Sequence, residues 1–258
     1  MKERRQLMGV LTLLHRDIKW RFHNAFTIVI TILQPMIWLI LYSSVAGQYM
    51  QGVGIQNYTA FILPGLVVLV SFGACSSSGI INYLMKTDGS FYRVLIAPVN
   101  RSSIVLGQVL EAVLCTFIEV AIMFIVSLFF SMKIASGFLG LIYIVMLVFM
   151  TAFFMAGLTY AISLCLPNEV IYETVMNALV LPIFFLSTAL FPADNLSGGL
   201  AIAVNLNPFT HVINALRSLI MQCNIVTHDI IFALLLLSVM CVISFTWALY
   251  KLNKETSL

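Results

Sequence analysis

Six apolar runs, each long enough to cross a bilayer as a helix, constrain this chain more than any other feature. A helix needs about 20 residues to span a hydrocarbon layer of about 30 Å. Runs of that order lie at 26–46, 60–83, 103–130, 137–166, 172–191 and 229–252. Lipid offers the backbone no hydrogen-bond partners, so such runs must fold as helices packed on one another. The chain is 61% hydrophobic and 9% charged, whereas a soluble domain is about one-quarter charged. The sequence thus predicts an all-α integral membrane protein, a single transmembrane domain over 1–258. The first run is too long for a signal-peptide core and lacks a small-residue cleavage site, so it is expected to stay in place.

Charge gives the runs an orientation. Eleven of the 13 Lys and Arg residues lie in the N-terminal segment, in loop 84–102 or in the C-terminal tail; only Lys133 and Arg217 lie in the alternate connections. By the positive-inside rule both termini face the cytoplasm, and an even number of spans agrees. Within segment 4–23, Leu7, Leu11, Leu14, Ile18 and Phe22 fall within about 80° of helical arc, opposite Arg5, Arg16, Lys19 and His23. That pattern predicts an interfacial helix lying among the headgroups. It serves as a lipid anchor, or also as part of a docking site for a cytoplasmic partner.

Polar residues inside the apolar runs are the next signal. The third run holds Glu111 and Glu119. A carboxylate at mid-bilayer costs about 2.5–3.5 kcal/mol or more, so each must face protein or water. The two readings are a buried, hydrogen-bonded glutamate at a helix interface and a polar element of a substrate or proton path. The second run carries Gly73, Ala74, Ser76, Ser77, Ser78 and Gly79, a small-residue face that permits close helix approach. A nucleophilic serine is disfavoured, because all four histidines (His15, His23, His211 and His228) lie outside the runs. The five cysteines, Cys75, Cys115, Cys165, Cys223 and Cys241, have no paired spacing and predict neither disulfides nor a metal site.

Two connections are not simple loops. Met85–Arg101 contains a short amphipathic helix over 88–97, capped by Thr87 or Asp88 and stopped by Pro98. An apolar helix returned to the cytoplasmic face implies a docking partner. After Pro182 the long-run pattern breaks, and residues 188–222 divide into pieces too short to cross. Asn207 caps one of them, with Pro208 in its first position. Such pieces are predicted to be re-entrant or interfacial helices in the outer leaflet. Asn168 is the predicted cap of the fifth run, with Glu169 and Glu173 in its first turn, either as capping charges alone or as a second, smaller contact for a basic partner.

These pieces in order resemble the type-2 permeases of ATP-binding-cassette exporters, closest in pattern to drug and antibiotic exporters. The carriers are Gln34-Pro-Met-Ile-Trp38, Phe61-Ile-Leu-Pro-Gly65, Tyr92-Arg-Val-Leu-Ile-Ala-Pro-Val99, Gly107, Pro182, Phe191-Pro192, Asn207-Pro208 and Arg217. The resemblance implies six spans and a paired second permease subunit, more readily identical than different. It also implies two cytoplasmic ATPase subunits that bind ATP and magnesium, and a bacterial or archaeal cell membrane. Helix 88–97 would be the ATPase-coupling element, with Asp88, Phe91, Tyr92, Arg93, Leu95 and Pro98. Gln34, Trp38, Glu111 and Glu119 would mark the substrate path, and Pro182, Phe191, Pro192, Asn207, Pro208 and Arg217 an outer gate. The chain has no G-x-x-x-x-G-K-[ST] loop, so ATP hydrolysis falls to a partner and no cofactor, metal or nucleic acid is expected on this chain. An amphipathic small molecule (drug, antibiotic or lipid), a lipid-linked polysaccharide, or no cargo at all in a sensor or immunity subunit remain alternatives.

Overall fold

The computed structural model describes residues 9–16, 18–19, 25–51, 57–96, 99–130, 132, 134–192, 197–222 and 227–255. These fold into helices, with no strand among the described residues. In order they are α1 (9–16), α2 (Ala25–Gln51), α3 (Tyr58–Thr87), α4 (Ser90–Ile96), α5 (Arg101–Phe129), α6 (Gly137–Cys165), α7 (Glu169–Phe185), α8 (Gly199–Leu206), α9 (Pro208–Met221) and α10 (Thr227–Glu255). Among the described residues, α3, α5, α6 and α10 are each long and apolar enough to cross a membrane. α2 runs for 27 residues with an apolar stretch at Leu33–Val45, and α7 for 17 residues.

α3 is the axis of the bundle. It is buried along most of its length and packs against α2, α5, α6, α7 and α9. α6 and α10 close the far side, with Leu147, Met155 and Leu237 fully buried. Hydrophobic burial gives no net drive between helices already in lipid, so close packing must hold this bundle together. Two glycines of α3 show how. A Cβ on Gly65 would stand 2.6 Å from that of Ala189. A Cβ on Gly79 would overlap the Tyr172 hydroxyl, which donates to the Ser76 carbonyl at 3.1 Å. Gly79→Ala should therefore lower the thermal midpoint of the detergent-purified protein, by an overpacking cost of about 1–3 kcal/mol. Adding Tyr172→Phe should recover part of the loss, because it removes the clashing oxygen; no recovery would place the strain elsewhere.

Side chains end the helices where the sequence has cap residues. Asn57 Oδ1 accepts from the Ala60 amide at 3.1 Å and Asn168 Oδ1 from the Ile171 amide at 2.9 Å. Two boundaries differ from the sequence pattern. The short helix predicted at 88–97 begins at Ser90, because Asp88 closes the C-terminus of α3 and Gly89 takes φ 69°. The fifth apolar run does not stay helical over 172–191. Its helix starts earlier, at Glu169, and ends at Phe185 with Pro182 inside its last turn. Pro182 is exposed, and the helix continues one turn past it. The Asn207 amide nitrogen then takes the Ile183 and Leu186 carbonyls at 2.6 and 2.8 Å, which stops the helix. Residues 4–8, 17 and 20–23 of the predicted interfacial helix lie outside the described residues.

Candidate functional site

The polar and exposed side chains gather at three levels of the bundle. At one end, α4 lies across the exit of α3 and the start of α5. Phe91 is its anchor, 3% exposed, with the Lys86 ammonium 5.2 Å from its ring centre. Lys86 also pairs with Glu255 at 2.9 Å, joining the ends of α3 and α10. Arg101 donates to the Leu95 carbonyl at 2.8 Å and closes the C-terminus of α4. The outward edge carries Tyr92, 58% exposed, Ile96, 83% exposed, and the exposed Arg93. Asp88 is exposed at the end of α3, Leu95 is half-buried, and Pro98 lies outside the described residues. α1 sits beside this end: Gly107 approaches Leu13, and Gly9 approaches Val99.

Midway, α2, α3 and α7 wall a cleft of about 470 Å³. Gln34, Trp38 and Tyr42 line it from α2, and Ser76, Ser77 and Ile80 from α3. Glu173, Asn177 and Phe184 line it from α7, and Glu119 reaches it from α5. Trp38 and Tyr42 stack with ring centres 5.5 Å apart. Glu111 is not in this wall. It is fully buried between α5 and α3, where Ser78 donates to one carboxylate oxygen at 2.6 Å and Cys115 to the other at 3.3 Å. Gln108 donates to the Ser78 hydroxyl at 3.0 Å and completes the cluster. The two glutamates thus divide, Glu111 into a packing cluster and Glu119 into the cleft, as their angular offset on one helix permits.

At the opposite end of α3, a network ties α9 to the segment after α7. Arg217 donates from Nε to the Phe61 carbonyl at 3.1 Å, from Nη1 to Asn214 Oδ1 at 3.2 Å, and from Nη2 to the Thr188 carbonyl. Its guanidinium lies 3.8 Å from the centre of the Phe61 ring. Thr188 donates to Asn214 Oδ1 at 2.7 Å, and Tyr58 to the Leu190 carbonyl at 3.1 Å. Asn207 serves two helices. Its oxygen accepts from the Phe209 amide at 3.0 Å at the start of α9, while its nitrogen holds the end of α7. Pro208 is the first residue of α9; Phe191 is 60% exposed and Pro192 half-buried, with no part in the network.

Glu173 and Asn177 were hidden in the sequence by their place at the start of a span, where a carboxylate reads as a helix cap. Their spacing of four residues was the available signal, since it puts both on one face. The serine run also separates by face: Ser76 and Ser77 reach the cleft, while Ser78 turns to Glu111.

The ABC-2 type transporter family profile matches residues 8–221. A relative named as a transport permease, ycf38, from Cyanophora paradoxa is 29% identical over 196 residues, 75% of this chain and 67% of its own length. ABC transporter G family member 20 of Dictyostelium discoideum is 26% identical over 173 residues, 65% of this chain and 23% of its own length. Nodulation protein J of Rhizobium leguminosarum bv. trifolii is 23% identical over 206 residues, 79% of this chain and 78% of its own length. These relatives include eukaryotic and bacterial proteins, so the expected restriction to bacteria or archaea is not supported.

Proposed function

The chain belongs to the ABC-2 type transporter family, and from that premise we propose that it is the permease subunit of an ATP-driven exporter. Its cargo is an amphipathic small molecule taken from the cytoplasm or inner leaflet. The observation that carries this reading is the cleft between α2, α3 and α7, because small-molecule sites are concave, mostly apolar and furnished with a few polar groups. Exposed apolar side chains at its edges, Ile37 and Leu41 on α2 and Leu181 and Phe185 on α7, favour a second copy of the chain as the facing wall. In this reading the chain crosses the membrane six times, by α2, α3, α5, α6, α7 and α10. Both termini and α4 face the cytoplasm, and α8 and α9 lie in the outer leaflet. ATP and magnesium are bound by two partner ATPase subunits that grip α4. Arg217 and Asn207 hold the outer mouth shut at rest, with Pro182, Phe191, Pro192 and Pro208 shaping its rim.

Inside-out vesicles carrying the transporter test the reading. They should accumulate an amphipathic cargo when ATP is added and not with a non-hydrolysable analogue. A tag at Leu258 should be open to protease on the same vesicles, and one beside Gln51 protected. Accumulation that ignores ATP, or a protected C-terminus, would overturn the assignment.

A further inference from the structure

The lining of the cleft carries more information than its size. Gln34, Trp38, Tyr42, Glu119, Glu173 and Asn177 are its principal polar and aromatic groups. Among the described residues that line it there are two carboxylates and no Lys, Arg or His. The Ser76 and Ser77 hydroxyls also line it, and the remainder is apolar. Trp38 and Tyr42 lie nearly parallel, 21° apart, and aromatic faces attract cations through the ring quadrupole, more strongly once water is excluded. A carboxylate in the same low-dielectric wall attracts a cation and repels an anion over several ångströms.

The carboxylates also occupy different depths. Glu173 lies one turn into α7, near the end of the bundle where α3 runs into α4. Glu119 lies on α5, about 27 Å from Arg101 along the helix axis. Trp38 and Tyr42 offer ring faces from α2 in the same lining. We propose that the cleft selects organic cations with an apolar body, Glu173 receiving the charge at the inner mouth and Glu119 holding it deeper. A charge moved through apolar surroundings is costly unless a counter-charge meets it; two stations supply that counter-charge in turn. Specificity comes as much from rejecting anions as from holding cations. The inference rests on the permease reading and narrows its cargo to one charge class.

The test uses an isosteric pair of opposite charge, tetraphenylphosphonium and tetraphenylborate. Binding of each is measured to the full chain in nanodiscs with its copurifying ATPase subunits, over protein-free nanodiscs. The phosphonium should bind at least about tenfold more tightly than the borate. Glu119→Gln with Glu173→Gln should remove that preference, and Glu173→Gln alone, at an exposed position, should reduce it without altering the thermal midpoint. Equal or tighter binding of the borate, no specific binding of the phosphonium, or a preference that survives in the double variant would overturn the proposal. ATP-driven export of a neutral or anionic cargo, unchanged in the double variant, would do so while leaving the permease reading intact. Loss of ATP-dependent export of every cargo is the separate signature of a failed permease reading.

Discussion

The double substitution Tyr92→Ala with Arg93→Ala is expected to abolish ATP-driven transport while the permease still inserts and folds. Both side chains are exposed on α4; their contacts with the protein are a 3.5 Å bond from Arg93 to the Asp88 carbonyl and an edge-on packing of the Tyr92 ring against Phe91, 5.7 Å between centres. Large amphipathic groups of this type dominate the energy of protein interfaces, each costing about 2 kcal/mol or more on truncation. Losing two should weaken ATPase attachment by at least about a hundredfold. Copurified ATPase, transport and thermal midpoint should therefore separate: the first two fall and the third stays. Phe91→Ala is the contrasting change. Phe91 is the buried anchor of α4, so its loss should lower the midpoint too, by about 3–5 kcal/mol of core stability. Wild-type transport in the Tyr92/Arg93 variant would remove α4 from the coupling role.

The second large effect is expected at Arg217. Arg217→Ala removes donors from the Phe61 and Thr188 carbonyls and from Asn214 in one step. Asn214 is exposed and keeps the Thr188 bond, but a buried carbonyl that loses its donor costs about 1–3 kcal/mol, so the variant should lose much of the order around α9. Arg217→Lys should fail to restore it, because a single ammonium cannot reproduce a planar fork aimed at three acceptors and stacked on a ring. Limited proteolysis between α7 and α9 should accelerate in both variants, and the cleft midway along α3 should still bind ligand. A lysine variant with wild-type protection would show that charge alone suffices there.

The sequence made parts of this legible through two strong rules. Apolar length and the distribution of Lys and Arg mark the membrane runs, because lipid forbids unpaired backbone. Cap chemistry locates Asn168 and Asn207, since an orphaned amide needs an oxygen within reach. The position of α4 was visible, but its first residue was not: Asp88 can cap either neighbouring helix, and only the left-handed Gly89 decides. The roles of Glu111 and Glu119 were not separable from their own helix, because each depends on what stands opposite, Ser78 for one and the cleft for the other. Arg217 stood out as a lone cation in an apolar stretch, yet its acceptors at Phe61 and Thr188 are 156 and 29 residues away. No local pattern reaches that far.

The unbroken course of α3 sets how the molecule can move. It is a rod of 30 residues, about 45 Å long, pinned at its first turn by the contacts to Arg217 and Leu190. Its other end runs through Gly89 into α4, where a partner's force would be applied. With the pinned end as fulcrum, a shift of about 3 Å at Thr87 tilts the rod by about 4° and moves Gly73 by only about 1.5 Å. Ser77 and Ile80 swing further, and Leu66 scarcely moves. In the proposed permease, a push on α4 would therefore widen or narrow the cleft at its inner mouth and leave the outer mouth untouched. Opening the far side would then take a second event, the parting of the Arg217 bonds at the fulcrum itself. Two mouths served by one rod in this way would not open in the same stroke.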